Sequence, residues 1–226
     1  ESSGKLSATA HADTPPENDE QAQKSARIRT QLAQEFLLTE RTYVKGLELL
    51  IEEYMRPLQA SANGDGKLGV SVAQCRDIFS VVENLLMVHQ MQMLEKLEQK
   101  LGGSSGAADL SVITIGDVFS DATLQMLKMH TSYANNYQKA LDTLETCSKS
   151  KTFRKFSQTK MIEAAERGQN LQPLESYLIT PIQRIMRYGM LLKELCKYTP
   201  AAHPDKELLD VALEAVEGLA QHVNES

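Results

Sequence analysis

One stretch, residues 174–200, limits the possible folds most, because it predicts a long helix with clear signals at both ends. Thr180 is placed to cap this helix, and Pro181 falls in its first turn, where a missing N–H costs no hydrogen bond. Pro200 ends it after about Tyr198. At about 100° per residue, the residues expected to face a core are Ile182, Ile185, Met186, Gly189, Leu192 and Cys196.

The opposite face of the same predicted helix mixes charged, aromatic and aliphatic side chains. Arginine and tyrosine next to apolar residues are enriched in protein-binding surfaces. A solvated face with one stray leucine is the alternative, and this helix alone does not separate the two interpretations. The residues on this face are Arg184, Arg187, Tyr188, Leu191 and Glu194.

The rest of the chain also predicts helices. Residues 25–58 carry an apolar stripe at helical spacing, and Pro57 marks its expected end. Tryptophan is absent, and valine and isoleucine do not alternate as they do in strands. We therefore predict an all-α fold, an elongated bundle of about six major helices. The other expected helices span 71–101 with Ser71 as cap, one or two helices within 115–147, 152–167 with Gly168 after it, and 205–225.

The chain divides into a short leader and one domain. Residues 1–24 include Pro15 and Pro16 and lack hydrophobic periodicity, so we predict a disordered leader there. An inhibitory segment that docks on the domain is the alternative, but the leader offers no apolar anchor. Residues 25–226 have the length and composition of a single domain.

Composition and scattered polar residues exclude several functions. A net charge of −6 argues against nucleic-acid binding. The three cysteines, Cys75, Cys147 and Cys196, fit neither a disulfide framework nor a zinc site, so we expect reduced thiols in a cytoplasmic protein. The five histidines form no metal-binding motif. We expect no metal, no cofactor and no catalytic nucleophile, and hence a protein that works by binding.

Two segments resemble a known family. The run Leu-x-x-Tyr-Leu-Ile-x-Pro-Ile-Gln-Arg at 174–184, followed by Tyr188 and by Leu-Leu-x-Glu-Leu at 191–195, is similar to the signature of the Dbl-homology domain. Thr-Glu-Arg-Thr-Tyr-Val at 39–44 resembles the first conserved segment of that family. This domain is the catalytic module of Rho-family guanine nucleotide exchange factors, and the resemblance covers about residues 25–226.

The resemblance implies a Rho-family small GTPase as partner and assigns three residues to it. Periodicity alone favours an ordinary ion pair for Glu40, on the shoulder of the first apolar stripe, but in the family this glutamate engages switch I. Arg187 falls where the family usually has lysine, and with Asn224 it would address switch II. Arginine keeps the charge but has a bulkier, flat donor group.

Four further residues complete the surface that the resemblance implies. Ile179 matches a position that helps to choose among Rho-family members, and isoleucine there leans towards a Rac-like partner. The other three are Leu191, Glu194 and Leu195.

Three functions remain open at this point. The first is an exchange factor that releases GDP by binding the nucleotide-free GTPase, without covalent chemistry. The second is a non-catalytic GTPase-binding or scaffold domain, for which Arg187 leaves room. The third is an unrelated helical adaptor that meets an acidic membrane or partner through a basic cluster at residues 149–160. For the first, we expect recruitment to membrane through a neighbouring domain.

Overall fold

The computed structural model describes residues 16–102 and 113–225. Within these ranges every regular element is helical, and the helices follow one another as six straight or kinked rods. The prediction of an all-α bundle is therefore confirmed. No helix in the described ranges is both long and apolar enough to cross a bilayer.

Among the described residues, the rods are built from α-helices and three short irregular helical segments. The π-helical turns span Leu50–Met55 and His89–Leu94, and a 3₁₀ turn spans Gly116–Phe119. The α-helices are α1 (Pro16–Leu49), α2 (Arg56–Asn63), α3 (Val72–Phe79), α4 (Val82–Val88), α5 (Glu95–Leu101), α6 (Asp121–Leu127), α7 (Met129–Ser148), α8 (Lys151–Glu166), α9 (Leu174–Leu178), α10 (Thr180–Lys197) and α11 (Lys206–Asn224).

The first rod is longer at both ends than the sequence predicts. It begins at Pro16, so residues 16–24 of the predicted leader are helical, while residues 1–15 lie outside the described part. It also continues past Pro57, because a π-helical turn directly precedes this proline. The N–H of Arg56 bonds to the carbonyl of Ile51, five residues back, and this wider turn makes room for the proline ring.

The second rod starts as predicted and then bends. The Ser71 hydroxyl accepts the N–H of Gln74 at 3.2 Å, and the Gln74 side chain accepts the N–H of Ser71 at 2.9 Å. Ser80 has φ of 46°, a left-handed conformation that ends α3. The single predicted helix over 71–101 is therefore a kinked rod with a π-helical turn that begins at His89.

The buried apolar side chains form two clusters that meet along α1. One cluster surrounds Tyr54 and includes side chains of α3, α7 and α8. The other surrounds Phe36 and includes side chains of α5, α10 and α11. Leu37 belongs to the second cluster and Tyr43 to the first, so Glu40 lies at the boundary between them.

Helix α10 is buried on more sides than predicted, because α1, α7, α9 and α11 all pack against it. Arg184, Tyr188 and Leu191 were expected on a binding face, but their exposed fractions are 4%, 0% and 6%. Met186, expected in the core, is exposed instead, as is Met190. The outer face of α10 is therefore rotated from the one that the sequence predicts.

A buried ion pair joins the first rod to the last. Arg29 Nη2 lies 3.0 Å from Asp205 Oδ2, and both side chains are almost fully buried. The Asp205 carboxylate also accepts the N–H groups of Ile115 and Gly116, at 2.9 and 2.8 Å. A Cβ atom at Gly116 would lie 2.7 Å from the Cβ of Leu208, so the approach requires glycine.

Candidate functional site

A buried polar cluster lies between α1 and α10, and Glu40 is at its centre. The Glu40 side chain has no exposed surface. Its Oε2 accepts hydrogen bonds from Arg184 Nη2 and from the Tyr188 hydroxyl, and its Oε1 lies 2.8 Å from His89 Nδ1. Burial by itself raises the pKa of Glu40, but the charges of Arg184 and His89 and the hydrogen bonds outweigh it and hold the pKa at about 2. The carboxylate is therefore ionised.

The cluster continues into a pair of buried histidines. His89 Nε2 lies 2.8 Å from His130 Nε2, and His130 Nδ1 lies 2.9 Å from the carbonyl oxygen of Pro181. A carbonyl and a carboxylate only accept, so His130 Nδ1 and His89 Nδ1 must each carry a proton, and the contact between the rings needs a third. Burial, with a contribution from His89, lowers the pKa of His130 well below its usual value.

Arg184 connects this cluster to the rest of α1. Its Nη1 donates to the Thr39 hydroxyl at 2.9 Å, and its guanidinium carbon lies 4.3 Å from the centre of the Tyr188 ring. The Tyr188 ring in turn stacks on Phe36, with centroids 6.0 Å apart. Burial raises the pKa of Tyr188 well above its usual value, which keeps its hydroxyl a donor to Glu40.

Glu40 was predicted to contact a partner directly, but in this structure its carboxylate has no exposed surface and is enclosed by α10 and by His89. Leu195, also predicted at the partner surface, is fully buried in the second apolar cluster. Neither side chain can touch a bound protein unless α10 moves away from its neighbours.

A second acidic residue on α1, Glu35, does face outward. Its Oε1 lies 2.8 Å from Arg187 Nη2 on α10, and the two side chains are 43% and 51% exposed. Sequence reasoning missed Glu35. The signal that could have found it is its spacing: Glu35 lies four residues before Thr39 and seven before Thr42, so the three form one polar stripe on α1.

The Glu35–Arg187 pair stands at the rim of a groove of about 1100 Å³ between α1, α9 and α10. The rim also carries the cations Arg41 and Lys45. The wall is mainly apolar and includes Leu49, Tyr177, Ile182, Met186, Met190 and Leu191. An apolar groove with a charged rim is suited to a protein segment that has both apolar and charged side chains.

The remaining predicted site residues occupy different parts of this surface. Arg187, Leu191 and Glu194 follow one another along one side of α10, and Glu194 pairs with Lys197 at 3.3 Å. Ile179 is half-buried in the link between α9 and α10. Asn224 is exposed at the end of α11, the helix that follows and packs along α10. The structure thus brings Arg187 and Leu191 to the groove and leaves Asn224 on the neighbouring helix.

Among the described residues no three histidine, cysteine, aspartate or glutamate side chains are close enough to hold a metal ion. The three cysteines are buried, and burial raises the pKa of the Cys196 thiol to about 11. The fold and the groove together define a helical protein-interaction domain.

Comparison with known proteins identifies the family. The model of the RhoGEF domain family matches residues 32–224, and the chain therefore belongs to the RhoGEF (Dbl-homology) family. This confirms the resemblance found in the sequence and excludes an unrelated helical adaptor. Two curated relatives are the human phosphatidylinositol 3,4,5-trisphosphate-dependent Rac exchanger 2 protein, 30% identical over 98% of the chain, and Rac guanine nucleotide exchange factor B of Dictyostelium discoideum, 33% identical over 88%.

Solved structures agree with this assignment. The DH domain of FARP2 is 25% identical, has a TM-score of 0.70 and is matched over 94% of this chain and 91% of its own. A structure of the Vav1 exchange factor is 28% identical, also with a TM-score of 0.70, over 89% of this chain and 50% of its own. The chain spans only 13% and 18% of the two curated relatives.

Proposed function

We propose that this domain is a guanine nucleotide exchange factor for a Rho-family small GTPase, and that it promotes GDP release and GTP loading. The observation that carries the proposal is the family match, which extends over nearly all of the described helices. The names of two relatives refer to Rac, and Ile179 stands at a position for which isoleucine leans the same way, so we propose a Rac-like partner.

The mechanism is differential binding without covalent chemistry in the domain. A protein that binds the nucleotide-free GTPase more tightly than the loaded one must weaken nucleotide binding by the same factor. The apolar groove, with Leu191 in its wall, would receive apolar residues of the switch regions. Arg187 and Asn224 would hold switch II, and Ile179 and Glu194 would contact the surface around it.

Glu35 takes the role that the resemblance gave to Glu40. It is the acidic side chain of α1 that is exposed at the groove, so we propose that it engages switch I. In the free domain Glu35 and Arg187 pair with each other, and a partner must replace this contact. An exposed ion pair contributes at most about 1 kcal/mol, so the replacement costs little.

The test is release of fluorescent GDP from a panel of Rho-family GTPases. Glu35→Ala and Arg187→Ala should each slow release about tenfold or more, as loss of a central interface contact does. Lys139→Ala is the matched control, because Lys139 also forms an exposed ion pair between two helices, 2.7 Å from Asp77, away from the groove. Normal rates for all three variants would rule out this surface, and no release by the unchanged domain would rule out the function.

A second candidate function is binding of a GTPase without exchange. Arg187, in place of the usual lysine, favours binding without exchange, because its guanidinium group reaches Glu35 and occupies that carboxylate. Arg187→Lys separates the two. Under the exchange proposal this variant keeps or raises the release rate. If the domain binds nucleotide-free GTPase and neither it nor the lysine variant accelerates release, the second function is correct.

The cellular setting is also a proposal. We place the domain in the cytoplasm, with recruitment to membrane through a neighbouring domain that binds lipid. Part of the basic cluster at residues 149–160 is already engaged: Arg154 donates to the carbonyl of Ser148 at 2.8 Å, and Lys160 pairs with Glu53 at 3.4 Å. These contacts leave fewer cations of the cluster available to an acidic surface. Co-sedimentation of this domain with anionic vesicles should therefore be weak.

A further inference from the structure

We infer that the buried carboxylate of Glu40 is a positioning group for the proposed exchange surface. It holds α1 and α10 in the one register in which the outer pair, Glu35 and Arg187, meets at the groove. The inference rests on the proposed function. It means that buried residues between the two helices position the exposed residues that contact the GTPase.

The first step is that Glu40 joins the two helices by directional bonds. Its Oε2 accepts from Arg184 Nη2 and from the Tyr188 hydroxyl, two donors one turn apart on α10. Its other oxygen faces His89, on the π-helical turn that begins there. One carboxylate of α1 thus fixes α10 at two points and a third segment at one.

The second step is that the neighbouring apolar contacts specify the register less sharply than the Glu40 carboxylate does. The Tyr188 ring stacks on Phe36 with 18° between the planes, and the buried leucines around it belong to the second apolar cluster. Apolar burial depends mainly on area and not on direction, so it specifies one register less sharply than a hydrogen bond does. A charge-assisted hydrogen bond is lost by a slide of one residue, about 1.5 Å.

The third step connects the inner bonds to the outer pair. Arg184 donates to Thr39 as well as to Glu40, and Thr39 stands one helical turn after Glu35, on the same side of α1. On α10, Arg187 lies three residues after Arg184 and directly before Tyr188. Each outer residue is therefore within one turn of a residue that the Glu40 cluster holds, on a rigid helix.

A positioning role differs from a general contribution to stability, and the chain contains a control for the difference. Arg29 on α1 and Asp205, directly before α11, form another buried ion pair, and neither residue lines the groove. Asp205→Asn and Glu40→Gln each remove one buried carboxylate charge. The two variants should lose similar stability, but the second alone should disturb the Glu35–Arg187 pair.

The experiment is a pair of double-mutant cycles with Arg187→Ala, read as the rate of fluorescent-GDP release from Rac under conditions where circular dichroism shows every variant folded. In the unchanged and the Asp205→Asn backgrounds, Arg187→Ala should slow release about tenfold. In the Glu40→Gln background, Arg187→Ala should slow release less than about threefold, because the effects of residues that act together are not additive. An equal tenfold loss in all three backgrounds would overturn the inference.

Tyr188→Phe is the second variant in case Glu40→Gln does not fold. It removes one donor to Glu40 and keeps the ring on Phe36, so it should reduce the effect of Arg187→Ala in the same direction. If the Tyr188→Phe variant folds and its effect on the release rate adds fully to that of Arg187→Ala, the inference is overturned.

If the unchanged domain releases no nucleotide, the proposed function is wrong, and a structural measurement then tests the inference separately. Crystal structures of the Glu40→Gln and Asp205→Asn variants should differ at the outer pair. We expect Glu35 Oε1 and Arg187 Nη2 to move apart beyond about 4 Å, the limit of an ion pair, in the first variant only. A pair that stays at its present 2.8 Å in Glu40→Gln would overturn the inference.

Discussion

The two sides of the α1–α10 contact carry ion pairs of the same composition in opposite surroundings. Inside, Glu40 and Arg184 are almost without exposed surface, and every oxygen of the carboxylate has a partner. Outside, Glu35 and Arg187 are about half exposed and have water as an alternative. The difference shows that charge and residue type alone do not assign a role: burial makes the inner pair part of the fold, and exposure leaves the outer pair free to exchange partners.

The largest expected effect tests the inner pair. Glu40→Ala leaves the Arg184 guanidinium buried without its carboxylate, so the free energy of unfolding should fall by about 3–5 kcal/mol. Urea denaturation followed by circular dichroism measures this loss. A loss below about 1 kcal/mol is the value expected of an exposed pair, and it would show that the buried pair contributes no more to stability than the exposed one.

A second buried ion pair extends the comparison. Gly116→Ala places a Cβ atom 2.7 Å from Leu208 Cβ and 2.8 Å from Asp205 Oδ1, against the carboxylate that pairs with Arg29. Overpacking of this kind should lower the free energy of unfolding by about 1–3 kcal/mol. Gly66→Ala is not a suitable control, since its φ of 62° adds strain; Gly218→Ala is, because a Cβ there meets open space.

Buried His130 gives the inner cluster a pH dependence. His130 has a lowered pKa in the folded protein, so the unfolded chain binds its proton first as pH falls through about 6.5, and stability is present above that pH and declines below it. Glu40, with its pKa at about 2, adds a further loss as pH falls through about 4.5. Each proton contributes a slope of up to about 1.4 kcal/mol per pH unit.

Urea denaturation of the unchanged domain and of His130→Gln between pH 8 and pH 5 measures this dependence. The glutamine variant should be less stable at pH 8 and should show a shallower decline below pH 6.5. An unchanged slope would mean that His130 does not supply the proton difference between the folded and unfolded states.

The smallest expected effect on stability belongs to the outer pair. Glu35→Ala should change the free energy of unfolding by less than about 1 kcal/mol, and added salt should shrink the difference, because exposed charges are screened. The same variant should slow GDP release strongly if the proposed function holds. A large loss of stability would show that the outer pair is structural like the inner pair, so that the two pairs do not differ in role.

Several parts of the fold could be predicted because they depend on local sequence. Ser71 and Gln74 form the predicted cap by contacts three residues apart, and Gly168, with φ of 71°, follows α8 as expected. The helical class followed from spacing alone. The family segments were also readable in the sequence, and the family match over residues 32–224 confirms them.

Other parts could not be predicted because they depend on which helices become neighbours. The outward face of α10 was misassigned, since four helices pack around it and bury Arg184 and Tyr188. The helical stop at Pro57 was also misassigned, because the π-helical turn before it depends on packing as well as on sequence. Of the candidate residues, Arg187 and Leu191 were placed at the groove, while Glu40 and Leu195 were not.

The sequence by itself determined that this chain is a bundle of helices, because that follows from residue spacing, and its resemblance to two family segments indicated the Rho-family exchange domains. The tertiary structure alone decided which glutamate of α1 is buried and which is exposed. Glu35 and Glu40 stand five residues apart, about 140° around the helix, and each has polar neighbours in the sequence. Only the position of α10 places one in an apolar interior and the other at a groove in contact with water.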